Sequence, residues 1–409
     1  MKLSQIDFAS LSNAREAAFL ASLRFEREGI FLKDSLQIIS EQTRKFSWEL
    51  SLGSMRRKES LKYLAKELVS PQKLSLKKKE RIVFQQALYQ FFYMKSVPLR
   101  AIVFESVALA KKYCGQAFAK FLNHQLRKLE TKEMALPQQK DAFSLSVFHS
   151  FPLFFIQKIL EQYPSQSEEI FEALNSPVSL QVRSRTENKT VGKPLSKEPV
   201  AVFEIDKLTP ELSDSENFYI QNITQAHLSS TLCQKMGSSP ENILDLCASP
   251  GGKSLIAHDF FPKANIFAND LSPKKLDKLK QNFKKYGVKA EIICQRAQDF
   301  RTDQPFDLVI ADLPCSNSGV LFKRAEARWR VERENLQELE KEQMEILNKA
   351  LEVVKKGGYL WHMTCSILKC ENENLSARLQ DRADILWQRC QIPQKGVFEG
   401  GYAALLKKK

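Results

Sequence analysis

The second half of the chain alternates short apolar runs with helical patterns, and this alternation limits the possible fold more than any other feature. The runs that predict strands are Asn242–Cys247, Ala264–Asn269, Glu291–Cys294, Asp307–Asp312 and Tyr359–Thr364. Before the last run, apolar residues recur at helical spacing from Leu336 to Val354. Strands that alternate with helices form a mostly parallel sheet covered on both faces. In such a sheet, ligands bind at the carboxyl ends of the strands.

The first part of the chain follows a different pattern. Residues 1–165 contain little glycine, and apolar side chains recur there at three- and four-residue spacing, as from Ile82 to Phe92. Pro98 is expected to end that helix. This part therefore predicts an all-helical bundle. From about 175 to 215 the pattern is lost, and the polar stretch 184–199 predicts a loop or linker with short strands on either side.

Charge and composition restrict the class of protein. The 62 Lys and Arg residues exceed the 48 Asp and Glu residues by 14, which favours nucleic acid ahead of an acidic membrane as a partner. Solubility alone would also explain this excess. The closest candidate for a membrane span, Leu145–Ile156, is too short and contains His149 and Pro152, and Met1–Asp7 has no signal-peptide core. We therefore expect a cytoplasmic protein with no membrane partner.

The cysteines and histidines do not form a metal-binding pattern. None of the eight cysteines belongs to a Cys-x-x-Cys pair, and the five histidines lack the spacing of metal ligands. No catalytic metal is therefore expected.

Polar residues follow the first and second predicted strands. The first strand leads into Asp245–Ser254, where Gly251 and Gly252 let the backbone approach a ligand closely. An ordinary strand-to-helix turn explains these glycines equally well. Asp270 ends the second strand, where it can accept hydrogen bonds from ribose hydroxyls or cap the next helix with Ser272.

Cysteines follow the fourth and fifth predicted strands. The fourth strand leads into Asp312–Gly319, which contains Cys315, and the fifth leads into Thr364–Ser366, which contains Cys365. A lone cysteine is usually a small buried apolar residue. Two cysteines at neighbouring strand ends, one of them behind an acid, are harder to explain in this way.

The region from about 217 to 406 resembles the Nol/Nop/Sun family of S-adenosylmethionine-dependent RNA cytosine-5 methyltransferases. The residues that carry the resemblance are Asp245–Ser254, Asp270–Pro273, Asp312–Gly319, Arg324–Trp329, Thr364–Ser366, Glu371-Asn372 and Gly400–Tyr402. The N-terminal part is similar to the NusB-like antitermination-factor domain at Val97-Pro98, Glu105–Val107, Ala110-Lys111 and Asn123–Arg127. This layout resembles the Sun/RsmB type, which methylates small-subunit ribosomal RNA.

The resemblance implies an α + α/β fold, in which an all-helical bundle precedes a Rossmann-like S-adenosylmethionine-dependent methyltransferase domain. The expected domains are a NusB-like helical RNA-binding domain at 1–165, a linker and RNA-contacting subdomain at 166–238, and a Rossmann-like catalytic domain at 239–409. The expected partner is RNA, with small-subunit ribosomal RNA first, and the expected state is a monomer.

The resemblance also implies residue roles. Cys365 would add to carbon 6 of cytosine, because carbon 5 takes a methyl group only after such an addition, and Cys315 would assist release of the product. Asp312 would hydrogen-bond ring nitrogen 3. The residues expected to bind S-adenosylmethionine are Cys247, Ala248, Ser249, Pro250, Gly251, Gly252, Lys253, Asp270 and Asp312.

One position departs from the family pattern. Arg296 falls where the family has an acid that contacts the adenine amine, and an arginine cannot accept that hydrogen bond. Asp299 would replace the acid after a small shift of the loop; otherwise the affinity for the cofactor is reduced.

The candidates for RNA contact are Lys253, Arg324, Arg328 and Arg330, because arginines beside Trp329 can grip phosphate and stack on bases. The seven lysines within residues 271–289 are equally well explained as a solvated helix face. Two alternatives stay open, namely the same chemistry on transfer RNA and a non-catalytic RNA-binding or ribosome-assembly factor.

Overall fold

The computed structural model describes residues 6–69, 75–186 and 189–409, so that Met1–Gln5, on which part of our signal-peptide prediction rests, lie outside the described residues. The chain forms two compact units, one ending at Gln157 and the other beginning at Lys158. Within the described ranges, no single helix is long and apolar enough to cross a membrane. Ala142–His149 and Leu153–Gln162 meet that test only as a pair, and a bend of 115° separates them.

The N-terminal unit consists of helices. Their bounds are α1 (Ala14–Glu28), α2 (Leu32–Leu36), α3 (Glu41–Arg56), α4 (Lys58–Leu68), α5 (Lys78–Tyr93), α6 (Leu99–Tyr113), α7 (Gln116–Arg127) and α8 (Ala142–His149), and α9 (Leu153–Gln162) begins in this unit. The Asn13 side chain caps the first turn of α1, and Gly29 ends this helix with φ +70°. The predicted helix from Ile82 to Phe92 lies within α5, and Pro98 separates α5 from α6 as expected.

The C-terminal unit contains α10 (Ser167–Leu174) and a small antiparallel sheet. Its strands are β1 (Leu180–Ser184), β2 (Lys193–Ser196), β3 (Val202–Ile205) and β4 (Phe218–Ile220), in the order β2-β3-β1-β4, and α11 (Pro210–Asp214) precedes β4. The stretch 184–199, for which we predicted a loop, thus contains the strand β2. This strand lies at the sheet edge, carries Pro194 and is largely exposed, so its sequence lacks the apolar signature of a buried strand.

A seven-stranded sheet forms the centre of the C-terminal unit. Its strands are β5 (Asn242–Asp245), β6 (Asn265–Asn269), β7 (Ala290–Ile293), β8 (Phe306–Asp312), β9 (Val354–Thr364), β10 (Ala383–Gln391) and β11 (Gly401–Lys408), in the order β10-β11-β9-β8-β5-β6-β7. β7, β6, β5, β8 and β9 pair in parallel, whereas β11 runs antiparallel to both β9 and β10. Each of the five predicted strands is present, and the predicted fold class is confirmed.

Helices cover both faces of this sheet. They are α12 (Ile223–Lys235), α13 (Gly252–Phe260), α14 (Pro273–Lys285), α15 (Arg333–Val353) and α16 (Glu373–Ala377). On β5, Ile243 packs with α12 and α13, and its neighbour Leu244 packs with α15, as strand alternation requires. Because α12 contributes Leu228 and Leu232 to this core, the sheet and its cover include residues before our predicted boundary at 239.

Candidate active site

The two cysteine motifs meet at one edge of the large sheet. β8 and β9 run parallel, and Asp312 at the end of β8 pairs with Met363 near the end of β9. The Leu313 N–H donates to the Met363 carbonyl at 2.9 Å, and the Gly319 N–H donates to the Cys365 carbonyl at 3.0 Å. Backbone hydrogen bonds therefore join the loops that follow the two strands.

The sulfur atoms of Cys315 and Cys365 lie 3.1 Å apart. The Asn317 side-chain oxygen accepts a hydrogen bond from Cys365 Sγ at 3.3 Å, and its amide group donates to the Cys315 carbonyl at 2.9 Å. Asn317 has φ +59°, a left-handed conformation that asparagine tolerates better than most residues. The hydrogen bond to Cys365, together with burial, raises the pKa of the Cys315 thiol well above its ordinary value. Cys315 therefore stays protonated at neutral pH and can donate to Cys365 Sγ.

Lys253 and Asp312 form an ion pair beside these thiols. The Lys253 Nζ lies 2.5 Å from the Asp312 Oδ2, and both side chains are largely buried. Burial lowers the pKa of Lys253, but the Asp312 carboxylate and the nearby Cys365 sulfur raise it more, so the net shift is upward. Lys253 thus provides a fixed positive charge. Two thiols, a carboxylate and a cation therefore lie together at the ends of neighbouring strands. Such a group of side chains can support attack by a thiolate on an electron-poor ring.

The glycine loop after β5 is closely packed at its two glycines. Gly251 has φ +106°, and a Cβ there would lie 2.9 Å from Leu279 Cδ1. A Cβ at Gly252 would lie 3.2 Å from the ring of Tyr219. The close backbone approach therefore explains both glycines.

Polar atoms around this loop have unused hydrogen-bonding capacity. Among the described residues, the buried Asp245 Oδ1 and Ser249 Oγ have no partner. The other Asp245 oxygen accepts from Ser254 Oγ at 2.6 Å. Burial raises the pKa of Asp245 to about 7, the charge of Asp312 adds to this shift, and the Ser254 hydrogen bond opposes it.

Asp270 lies at the end of β6, the position from which a carboxylate is expected to contact the ribose. It is buried and accepts hydrogen bonds from the Ser249 N–H at 3.3 Å and the Ser272 N–H at 3.0 Å. Each carboxylate oxygen keeps a further acceptor site. Acidic groups with free acceptor capacity beside a glycine loop fit S-adenosylmethionine, which carries a sulfonium, an ammonium and ribose hydroxyls.

The position that departs from the family lies at the surface. Arg296 is 58% exposed and stands 3.8 Å from Asp299, which is 67% exposed. Asn269 connects this loop to the core, because its side chain accepts from the Gln295 N–H and donates to the Gln295 carbonyl. Gln295 therefore lies at the end of β6, whereas the Asp299 side chain, later in the same loop, pairs with Arg296 at the surface.

The predicted RNA-contacting arginines differ in exposure. Arg324 and Arg330 are exposed. Arg328 is fully buried, and it donates to the Asn175 Oδ1 at 3.0 Å and to the Leu174 carbonyl at 3.3 Å. Our prediction of an RNA contact for Arg328 is therefore corrected: its guanidinium bonds to the end of α10 inside the protein.

Sequence reasoning gave no role to Asp245, Asn317 or Glu371. Asp245 and Glu371 stand in the quoted motifs at or just after strand ends, and this position is a usable signal. Asn317 carries no such signal, because its left-handed backbone cannot be read from its neighbours. In residues 6–69, 75–186 and 189–409, no group of three or more His, Cys, Asp or Glu side chains is placed to hold a metal ion.

Sequence comparison finds similarity to two families. Residues 236–402 match the family described as 16S rRNA methyltransferase RsmB/F, and residues 12–131 match the NusB family. The chain is 28% identical over 366 residues to the ribosomal RNA small subunit methyltransferase B of Serratia proteamaculans (strain 568), covering 85% of this chain and 84% of that protein. It is also 28% identical over 368 residues to the protein of the same name from Sodalis glossinidius (strain morsitans), covering 86% and 84%.

Solved structures share the fold. The protein named PH0851 aligns with a TM-score of 0.75 at 19% identity, over 98% of this chain and 100% of that chain. NSun6 from Pyrococcus horikoshii, solved with SFG, aligns with a TM-score of 0.54 at 17% identity, over 64% of this chain and 99% of that chain. At these identities the likeness establishes the fold alone.

Proposed function

We propose that the chain is an S-adenosylmethionine-dependent RNA cytosine-5 methyltransferase of the RsmB/F type and that it methylates a cytosine in small-subunit ribosomal RNA, because residues 236–402 match the RsmB/F family and residues 12–131 match the NusB family. The observation that carries the proposed mechanism is the contact between Cys315 and Cys365 beside the Lys253–Asp312 ion pair. The similarity to ribosomal RNA small subunit methyltransferase B supports the choice of RNA. On this proposal the enzyme acts in the cytoplasm as a monomer.

The cofactor site proposed here is the loop Cys247–Lys253 with Asp270 and Asp312. S-adenosylmethionine, when bound, supplies an electrophilic methyl group. The unpartnered Asp245 Oδ1 offers an acceptor for a cationic part of this molecule, and Asp270 offers acceptors for ribose hydroxyls. Arg296 supplies no acceptor for the adenine amine, so Asp299 would have to leave its ion pair to do so.

The chemistry at the base follows from the residues at the strand ends. The Cys365 thiolate forms a bond to carbon 6 of cytosine, and the electron pair of the C5=C6 double bond becomes available at carbon 5. Asp312 hydrogen-bonds the protonated ring nitrogen 3, so that negative charge does not accumulate on the ring. After methylation, a water molecule takes the proton from carbon 5, the C5=C6 double bond re-forms, and the bond from carbon 6 to the Cys365 sulfur breaks. Cys315, which stays protonated, can donate to the departing sulfur.

The proposed RNA contacts are Lys253 at the base and the exposed Arg324 and Arg330 outside it. The target cytosine must leave its stack to reach Cys365, as in other enzymes that modify bases.

Covalent trapping tests this proposal. Wild type, Cys315→Ala and Cys365→Ala are each incubated with S-adenosylmethionine and small-subunit RNA, and the products are separated on a denaturing gel. We expect a protein–RNA adduct that accumulates in Cys315→Ala, because release is impaired, and that is absent in Cys365→Ala. An adduct formed only with transfer RNA would show that transfer RNA is the substrate. Failure of wild type to transfer methyl label to either RNA would favour a non-catalytic RNA-binding factor.

A further inference from the structure

Glu371 is fully buried between the two cysteine loops. Its Oε1 accepts hydrogen bonds from the Ser316 N–H at 2.8 Å and the Gln343 Nε2 at 3.1 Å. Its Oε2 accepts from the hydroxyls of Ser316 and Ser366, each at 2.5 Å. Ser316 follows Cys315 in the sequence, and Ser366 follows Cys365. One carboxylate therefore bonds to the residue next to each thiol.

A third serine, Ser318, extends this connection. The Ser318 and Ser366 hydroxyls lie 2.7 Å apart, and Ser318 Oγ also accepts from the Ile367 N–H at 3.0 Å. The two loops therefore contact each other through hydroxyl groups as well as through Glu371. Few of these groups can move without breaking a bond to the opposite loop.

The charge of Glu371 makes this arrangement costly. Among the described residues, no Lys or Arg forms an ion pair with it, and its four hydrogen bonds come from neutral donors. Burial raises the pKa of Glu371, while the hydrogen bonds of Ser316 and Ser366 oppose this shift. A buried carboxylate without a cation is unfavourable compared with an apolar residue of similar size. The simplest explanation for Glu371 at this position is that the four hydrogen bonds it accepts fix the geometry of the two cysteine loops.

We propose that Glu371 is a positioning residue, which holds the thiols of Cys315 and Cys365 in contact by bonding to Ser316 and Ser366 at the same time. This inference rests on the proposed function, because the thiol contact matters for methyl transfer only if Cys365 attacks the base. Glu371 itself does not touch the sulfur atoms; it acts through the two serines. Its loss should therefore reduce the turnover of bound RNA more than the binding of RNA.

The contact between the thiols can be measured without RNA or cofactor. Phenylarsine oxide forms two As–S bonds with a pair of adjacent thiols and releases one water, so its affinity reports whether the two sulfurs can meet. The variants are wild type, Glu371→Gln, Cys315→Ala as the thiol control, and Glu340→Gln as the matched control. Glu340 lies on α15 like Gln343; it pairs with Arg378 and hydrogen-bonds the Cys370 thiol, but it makes no hydrogen bond to Ser316 or Ser366.

We expect tight arsenical binding in wild type and in Glu340→Gln, with loss in Cys315→Ala. Glu371→Gln should bind at least about tenfold more weakly, and its kcat should fall by up to about 10²-fold with KM for RNA within about twofold, because small misplacements of reacting groups have effects of that size. Ser366→Ala removes one of the four donors to Glu371, together with the contact to Ser318 and the acceptor for the Leu368 N–H, and should lose less in both measurements. It also keeps the test valid if Glu371→Gln does not fold.

Unchanged arsenical affinity and unchanged kcat in folded Glu371→Gln or Ser366→Ala would overturn the inference while leaving the proposed function intact. If wild type transfers no methyl group to any RNA, the proposed function fails. The arsenical comparison then still decides whether Glu371 controls the thiol contact.

Discussion

Asp245 shows how burial sets the charge of a single residue at this site. Its ordinary pKa is 3.8, and burial raises the value in the folded protein to about 7. Between these values the folded chain holds a proton that the unfolded chain has released. The resulting stabilisation is present below pH 3.8 and is lost as pH rises through about 7. A pKa shift of this size changes the free energy of unfolding by on the order of 4 kcal/mol over this pH range.

We therefore expect the cofactor-free wild type to lose stability between pH 5 and pH 8, and Asp245→Asn to lose less. Urea denaturation at the two pH values measures this difference. S-adenosylmethionine should also bind wild type more tightly as pH rises through about 7, since an ionised Asp245 attracts a cationic ligand. Calorimetry that finds the same pH dependence of binding in Asp245→Asn would contradict this role.

The same residues show what a sequence reveals about a site. Cys315, Cys365, Asp270 and Asp312 could be singled out because each follows a recognisable strand. The hydrogen bonds of Asn317 and Glu371 could not be predicted, because they depend on loop backbone geometry that apolar periodicity does not describe.

At the scale of elements, the five parallel strands of the large sheet were predictable from their apolar runs, whereas β2, β10 and β11 were not. β8 is apolar and buried over most of its length, whereas β10 lies at the sheet edge and is buried only at Ala383. The strand β2 was not predicted because it is also an exposed edge strand. Burial of Arg328 was equally hidden, because its acceptor on Leu174 lies 154 residues away in the chain.

We expect Arg328 to stabilise the folded protein through its hydrogen bonds to Leu174 and Asn175 at the end of α10. Replacing it by methionine leaves the Leu174 carbonyl and the Asn175 side chain without a charged donor, so we expect the free energy of unfolding to fall by about 3 kcal/mol. Arg330→Met, at an exposed position on the same turn, should change it by less than about 0.5 kcal/mol. Urea denaturation of the full chain compares the two variants. A loss of RNA affinity in Arg328→Met at unchanged stability would instead restore our original prediction of an RNA contact.

At the scale of the whole molecule, the excess of 14 positive charges gives a general attraction for RNA but does not say where RNA binds. Two surfaces compete for this role. One is the exposed Arg324 and Arg330, in the segment between β8 and α15. The other is α14, whose exposed lysines lie opposite the buried face formed by Leu276, Leu279 and Phe283.

The salt dependence of RNA binding separates these surfaces, because each phosphate contact releases counterions. We expect Arg324→Ala and Arg330→Ala each to reduce the slope of log affinity against log salt by about 0.7 to 1. Lys356→Ala is the matched control, since this exposed cation lies near the start of β9, at the opposite end of the strand from Cys365, and should leave the slope unchanged. Fluorescence anisotropy with a labelled small-subunit RNA fragment measures all three. If the slope is unchanged in both arginine variants but reduced in Lys274→Gln and Lys278→Gln, the RNA-binding surface is α14.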